Sequence, residues 1–292
     1  MKKIDIITAC SDLGVNIDGA KLGPERILQL LNKDNYHEIK KVIPTIFYQK
    51  NNDKKNKMKN LKEINLFNQD LYLEIKNSLK NNYFPITLGG DHSIAIASAL
   101  ASIEKYKNLG IIWFDAHGDF NTFESTPSGN IHGLPLAAIT NYEKKYLTSF
   151  HYGNYYSPKN TVILGARDID LPYELENLKD AGVTIISTQE IKKYGMESMA
   201  KKAIEIASYK SKGIHISYDL DVIDPLLAPG VSVPVEKGLN IEDSNSFLKV
   251  LFQNKEKIKS FDLVEFNPLY DKEQKTEKIA FDILNQINNN LK

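Results

Sequence analysis

Residues 109–121 read LGIIWFDAHGDFN, and the fold turns on how this stretch divides. Its first half, LGIIWF, has no polar side to turn toward water, so it reads as a strand covered on both faces. Strands of that kind belong to parallel sheets flanked by helices. The second half sets Asp115, His117 and Asp119 at alternate positions directly after the apolar run. In extended chain, residues two apart point the same way, so Asp115 and His117 share a face, and Asp119 continues it as the strand enters its loop.

Working outward, short β-branched runs alternate with longer amphipathic ones. IDIITA, YFPITLG, NTVILGA, GVTIIS, GIHISYDLD and IKSFDLVEF are the other predicted strands. GPERILQLLN, NLFNQDLYLEIKNSLKNN, HSIAIASALASIEKY, MESMAKKAIEIASYK and EDSNSFLKVLFQN carry the helical spacing between them. No composition break or internal repeat interrupts the alternation. An α/β fold with a mainly parallel central sheet is expected, with residues 1–292 forming a single domain. In such sheets ligands bind at the carboxyl ends of the strands.

Composition narrows the function. The 37 basic and 37 acidic side chains balance, so no broad cationic field exists for nucleic acid. The Lys- and Asn-rich stretch at 49–65 contains acids and lacks interleaved aromatics, which favours a solvated loop running into a helix. A single cysteine, Cys10, excludes an intrachain disulfide and favours a reducing, cytoplasmic setting. The N-terminal apolar stretch is short and broken by Asp5, unlike a signal peptide, and no run is long enough to span a membrane.

Four predicted strand ends carry polar groups that a core strand does not need. ITLGGDHS ends in Asp91 and His92, DAHGDFN gives Asp115, His117, Asp119 and Asn121, SYDLDVIDP gives Asp219, Asp221 and Asp224, and DLVEFNP gives Glu265. Taken singly, GGDHS or DLD is more often a turn or helix cap. Together they would aim several carboxylates into one small volume, which is costly unless cations compensate them. Asp115, Asp119, Asp219, Asp221, His92 and His117 offer oxygen and imidazole without thiolate, a set that suits Mn²⁺ better than structural zinc, with Fe, Co and Ni as alternatives. A pair of such ions activates water near neutral pH, so hydrolysis of a poor electrophile is the expected use.

These motifs resemble, in order and across nearly the whole chain, those of the ureohydrolases, and more narrowly the arginases: DLGVNIDGAKLGPERI, GGDHS, DAHGDFN, SGNIHG, SYDLDVIDP and EFNP. The resemblance implies a three-layer α/β/α fold, two Mn²⁺ per subunit, and hydrolysis of L-arginine to L-ornithine and urea by a metal-bridging hydroxide. It implies that His92 and Asp119 bind one ion, His117 and Asp221 the other, and that Asp115 and Asp219 bridge them. Asp119 would also orient the hydroxide, Glu265 would pair with the guanidinium, and His132 of SGNIHG would shuttle protons. Asn121, Ser128 and Asn130, with Thr126 through water, would read the substrate α-carboxylate, and Asp170 the α-amino group. A homo-oligomer, trimer or hexamer, is implied, with no nucleic-acid or membrane partner.

Two departures stand out. Arginases typically have an acid three residues after the Asp170 position, where this chain has Tyr173, with Glu174 one later as the candidate replacement. APGVSVP has Val233 where arginases commonly have Thr, and this keeps agmatine, other guanidino compounds and formimidoylglutamate as alternative substrates.

Overall fold

The computed structural model describes residues 2–43, 57–143 and 146–291; residues 49–56 of the Lys/Asn-rich stretch lie outside these. Eight strands form one sheet: β1 (Ile4–Ala9), β2 (Glu38–Val42), β3 (Phe84–Gly89), β4 (Gly110–Phe114), β5 (Thr161–Ala166), β6 (Thr184–Ser187), β7 (Ile214–Asp219) and β8 (Ile258–Val264). Their spatial order is β2-β1-β3-β8-β7-β4-β5-β6. Every pairing is parallel. The helices of the described residues are α1 (Gly23–Leu28), α2 (Leu61–Lys80), α3 (Ala95–Tyr106), α4 (Pro135–Ile139), α5 (Tyr173–Ala181), α6 (Thr188–Tyr194), α7 (Met196–Ser208), α8 (Ile241–Gln253) and α9 (Lys275–Leu291).

Alternation along the strands sorts side chains into two apolar layers. On β4, Ile112 and Phe114 join one core with α7, α8 and α9, while Ile111 and Trp113 join the other with α2, α3 and α4. The three-layer architecture follows directly from strands that are apolar on both faces. None of the helices in the described residues is long and apolar enough to cross a membrane.

β2, the short helices α4, α5 and α6, and α9 escaped the sequence reading. β2 is EIKKV, an edge strand whose charged side chains face outward. α9 is rich in Asn and Lys and buries only a narrow stripe, including Ala280, Ile283, Leu284 and Ile287.

The sheet order decides where the site lies. β3, β8, β7 and β4 are consecutive neighbours, so the four polar strand ends singled out above emerge side by side. Gly90 lets β3 turn there, since a Cβ would stand 1.8 Å from the Ser11 carbonyl oxygen.

Candidate active site

The strands end earlier than the alternating pattern suggests. β4 stops at Phe114, and His117 is reached through an isolated bridge to Asp168. Asp119 then turns back with φ +48°, a left-handed conformation that a loop must hold in place. Asp219 ends β7, while Asp221 sits in a single 3₁₀ turn, Leu220–Val222. The shared direction of these side chains therefore comes from turns as much as from the pleat.

The buried carboxylates follow a common pattern. Asp115 accepts the His117 N–H on Oδ1 at 2.7 Å, Asp219 accepts the Asp221 N–H at 2.8 Å, and Asp221 accepts the Ala116 N–H at 3.3 Å. The other oxygen of each faces an imidazole. His92 Nδ1 lies 3.0 Å from Asp115 Oδ2, 3.2 Å from Asp119 Oδ2 and 2.9 Å from Asp219 Oδ2. His117 Nδ1 lies 3.0 Å from Asp221 Oδ2 and 3.4 Å from Asp115 Oδ1.

Two groups of ligand atoms result, His92/Asp115/Asp219 and Asp115/His117/Asp221, each with its atoms within 4.8 Å of one another. Asp115 belongs to both, the position of a bridge; Asp219 joins only the first. His92 Nδ1 and Asp115 Oδ2 are buried with no well-aligned hydrogen bond despite their proximity. Atoms that crowd one point without bonding each other fit a cation between them.

Electrostatics agree. Burial, then the charges of Asp221 and Asp115, hold the Asp219 carboxyl well above its ordinary range. Burial likewise pushes Asp221 up to about 6. Burial opposes a charged His92, but Asp115, Asp119 and Asp219 outweigh it and hold the imidazole well above its usual value. A divalent ion would relieve the carboxylate repulsion at its source.

Side chains outside the expected set orient these groups. Ser217 Oγ lies 2.8 Å from His92 Nε2, so an Nε2–H donated to it leaves the Nδ1 lone pair facing the carboxylates, as a metal ligand requires. The Trp113 ring stacks on His92 with centroids 3.9 Å apart and planes 5° off parallel. The Arg167 guanidinium donates to the carbonyls of Asp221 (2.7 Å) and Val222 (3.0 Å), fixing that turn. Ser217 stands two residues before Asp219, so extending the alternation backward would have found it. Asp91 is a cap instead, accepting the Ser93 and Gly14 N–H groups, and Asp224 caps the turn at Leu226.

Glu265 is buried and has φ +66°. Its Oε1 accepts the His92 N–H at 2.7 Å and lies 3.3 Å from His132 Nδ1, while Oε2 has no partner. Burial opposes a charged His132, and Glu265 more than offsets it, raising the imidazole above its ordinary value.

The expected substrate loop is assembled beside this centre. Asn121 Nδ2 donates to Asp170 at 2.8 Å, linking the loops after β4 and β5. Thr126 Oγ1 accepts the Gly129 N–H, and the exposed Ser128 accepts the Asn130 N–H. Tyr173 is 63% exposed at the start of α5, so no acid stands at that position. Glu174 was expected to compensate, yet its carboxylate is buried and accepts the N–H groups of Phe120 and Asp170, both at 2.8 Å. It ties together the same two loops. Glu174→Ala would strand the buried Phe120 N–H at about 1–3 kcal/mol and, at a smaller cost, the part-buried Asp170 N–H. A thermal melt should then fall by about 2–6 °C; an unchanged melt would remove the tie.

The comparisons with known proteins point the same way. The family model described as Arginase family matches residues 2–288. The arginase of Staphylococcus aureus strain COL is 38% identical over 292 residues, covering 97% of this chain and 96% of the relative. The arginase of Bacillus subtilis strain 168 is 35% identical over 293 residues, covering 98% and 97%. The native structure of Bacillus caldovelox arginase superposes with a TM-score of 0.92 at 32% identity, covering 98% of both chains. With its fold, strand-end residues and sequence all in agreement, this chain belongs to the arginase family.

Proposed function

We propose that this protein is a manganese-dependent arginase, hydrolysing L-arginine with one water to L-ornithine and urea. The observation that carries the reading is the pair of buried His/Asp groups sharing Asp115, set beside Glu265 with its unpartnered oxygen. Arginases are what the similar proteins are named, which supports this substrate over agmatine or formimidoylglutamate.

His92, Asp115, Asp119, His117, Asp219 and Asp221 would hold two Mn²⁺. Bound there, the ions would supply a water acidified enough to act as a nucleophile. Asp119, turned back toward His92, would orient the attacking water. Glu265 Oε2 accepts from the planar guanidinium and holds its carbon in line for attack. Asn121, Ser128 and Asn130, with Thr126 through water, read the α-carboxylate, and Asp170 reads the α-amino group; Glu174 keeps these loops in register. A substrate lacking the carboxylate would leave their donors unpaired. All these residues lie beyond the carboxyl ends of neighbouring strands of one sheet, which supports a single catalytic domain over residues 1–292. A homo-oligomer in the cytoplasm completes the proposal.

His132 delivers the proton that the departing amine needs. His132→Ala should slow turnover by about 10²–10⁴-fold while metal content stays at the wild-type level. Loss of both together would assign His132 to the metal centre.

The direct test is urea release from L-arginine and from agmatine after incubation with Mn²⁺ or with chelator. Manganese-dependent urea from arginine alone supports the proposal. Activity on agmatine, or on neither, overturns it and directs attention to the changes at Tyr173 and Val233.

A further inference from the structure

A cation, Lys59, stands beside the loop proposed to read the α-carboxylate. Residues 57–60 lie along the loop 124–130. The Lys59 N–H donates to the Gly129 carbonyl at 3.0 Å, and Lys57 Nζ donates to the Glu124 carbonyl at 2.7 Å. Met58 is fully buried, and the Asn60 side chain donates to the Leu13 carbonyl at 2.8 Å. Gly129 allows the approach: it has φ +70°, and a Cβ there would stand 2.0 Å from the Lys57 carbonyl oxygen.

This docking delivers Lys59 Nζ to 3.0 Å from Asn130 Oδ1. An ammonium has only donors, so the Asn130 atom facing it must be the carbonyl oxygen. The Asn130 amide is thereby turned with its NH₂ left to donate elsewhere. Lys59 is half-buried, and among the described residues no carboxylate pairs with its ammonium. A half-buried cation without a counter-charge, next to an amide with donors to spare, suits an incoming carboxylate.

We infer that Lys59 is a specificity-determining residue that supplies the positive charge for the substrate α-carboxylate and sets the rotamer of Asn130 that donates to it. The inference rests on the arginase reading above. It assigns to the segment before α2 a role in telling an amino acid from a decarboxylated amine.

The test compares L-arginine with L-argininamide, which keeps the guanidinium and α-amino group and loses only the anionic charge. In Lys59→Met the ratio of kcat/KM for arginine over argininamide should fall about tenfold, as expected for a partly exposed charge-assisted hydrogen bond. Lys59→Arg, which keeps the charge, should retain most of that ratio. Calorimetric titration of L-ornithine into the Mn²⁺-loaded protein should show a matching loss of affinity in Lys59→Met, with the weaker affinity for 1,4-diaminobutane moving far less. A merely structural lysine would lower both substrates together and leave the ratio unchanged, which overturns the inference. An Arg variant that behaves like the Met variant overturns it as well. Wild-type protein that releases no urea from arginine overturns the functional reading itself, and this inference with it.

Discussion

Asp115→Asn is expected to reduce urea release from L-arginine by about a thousandfold or more, since losing a shared ligand removes several kcal/mol of electrostatic assistance. Asp115 is the one side chain common to both groups of ligand atoms, so no other single change touches both. The replacement is close to isosteric. An asparagine Oδ1 can still accept the His117 N–H now held at 2.7 Å, so the turn into the loop should survive. The Asn NH₂ would instead confront His92 Nδ1, now 3.0 Å from Asp115 Oδ2, and present a donor where a cation needs a lone pair. Manganese content measured after gel filtration should fall below two ions per chain. Wild-type protein should melt higher with added Mn²⁺, because an ion bound only by the native state stabilises it; the variant should show little such rise. A variant with full metal content and wild-type turnover would sink the two-ion reading.

Much of this arrangement could be read from residue order, and the parts that could not have physical causes. The apolar strands announced themselves because burial on both faces leaves no room for polar side chains, as in GIIWF of β4. β2 did not, because an edge strand has one open side and tolerates Lys and Glu there. The candidate ligand residues were legible as chemistry at strand ends, whereas their adjacency was not. Only the order β3-β8-β7-β4 brings Asp91–His92, Glu265, Asp219–Asp221 and Asp115–Asp119 together, and parallel crossovers over long separations fix that order. The backbone details were hidden too. Nothing in DAHGDFN shows that Asp119 takes φ +48°, because tertiary contacts hold that strained turn. Glu174 illustrates the limit best. By its place beside Tyr173 it reads as a substrate acid, and only the fold shows both its oxygens accepting N–H groups from two loops.

The second large effect is expected at Glu265, and it separates substrate binding from metal binding. Glu265→Gln keeps an acceptor for the His92 N–H, now 2.7 Å from Oε1, so the turn after β8 and the placement of His92 should persist. What changes is Oε2, the buried oxygen without a partner. An unpaired acceptor inside the protein costs about 1–3 kcal/mol until a donor arrives, and a planar guanidinium brings donors and a charge together. The glutamine NH₂ would meet those donors with donors of its own. The expected loss in kcat/KM is about 10²–10³-fold, or roughly 3–4 kcal/mol of binding that the transition state shares. Manganese content and the Mn²⁺-induced rise in melting temperature should stay at wild-type values, in contrast to Asp115→Asn. If Glu265→Gln instead turned over arginine within a few-fold of wild type, the guanidinium would have to be held elsewhere. If it lost metal as well, its contact with the His92 N–H would be the part of its role that matters.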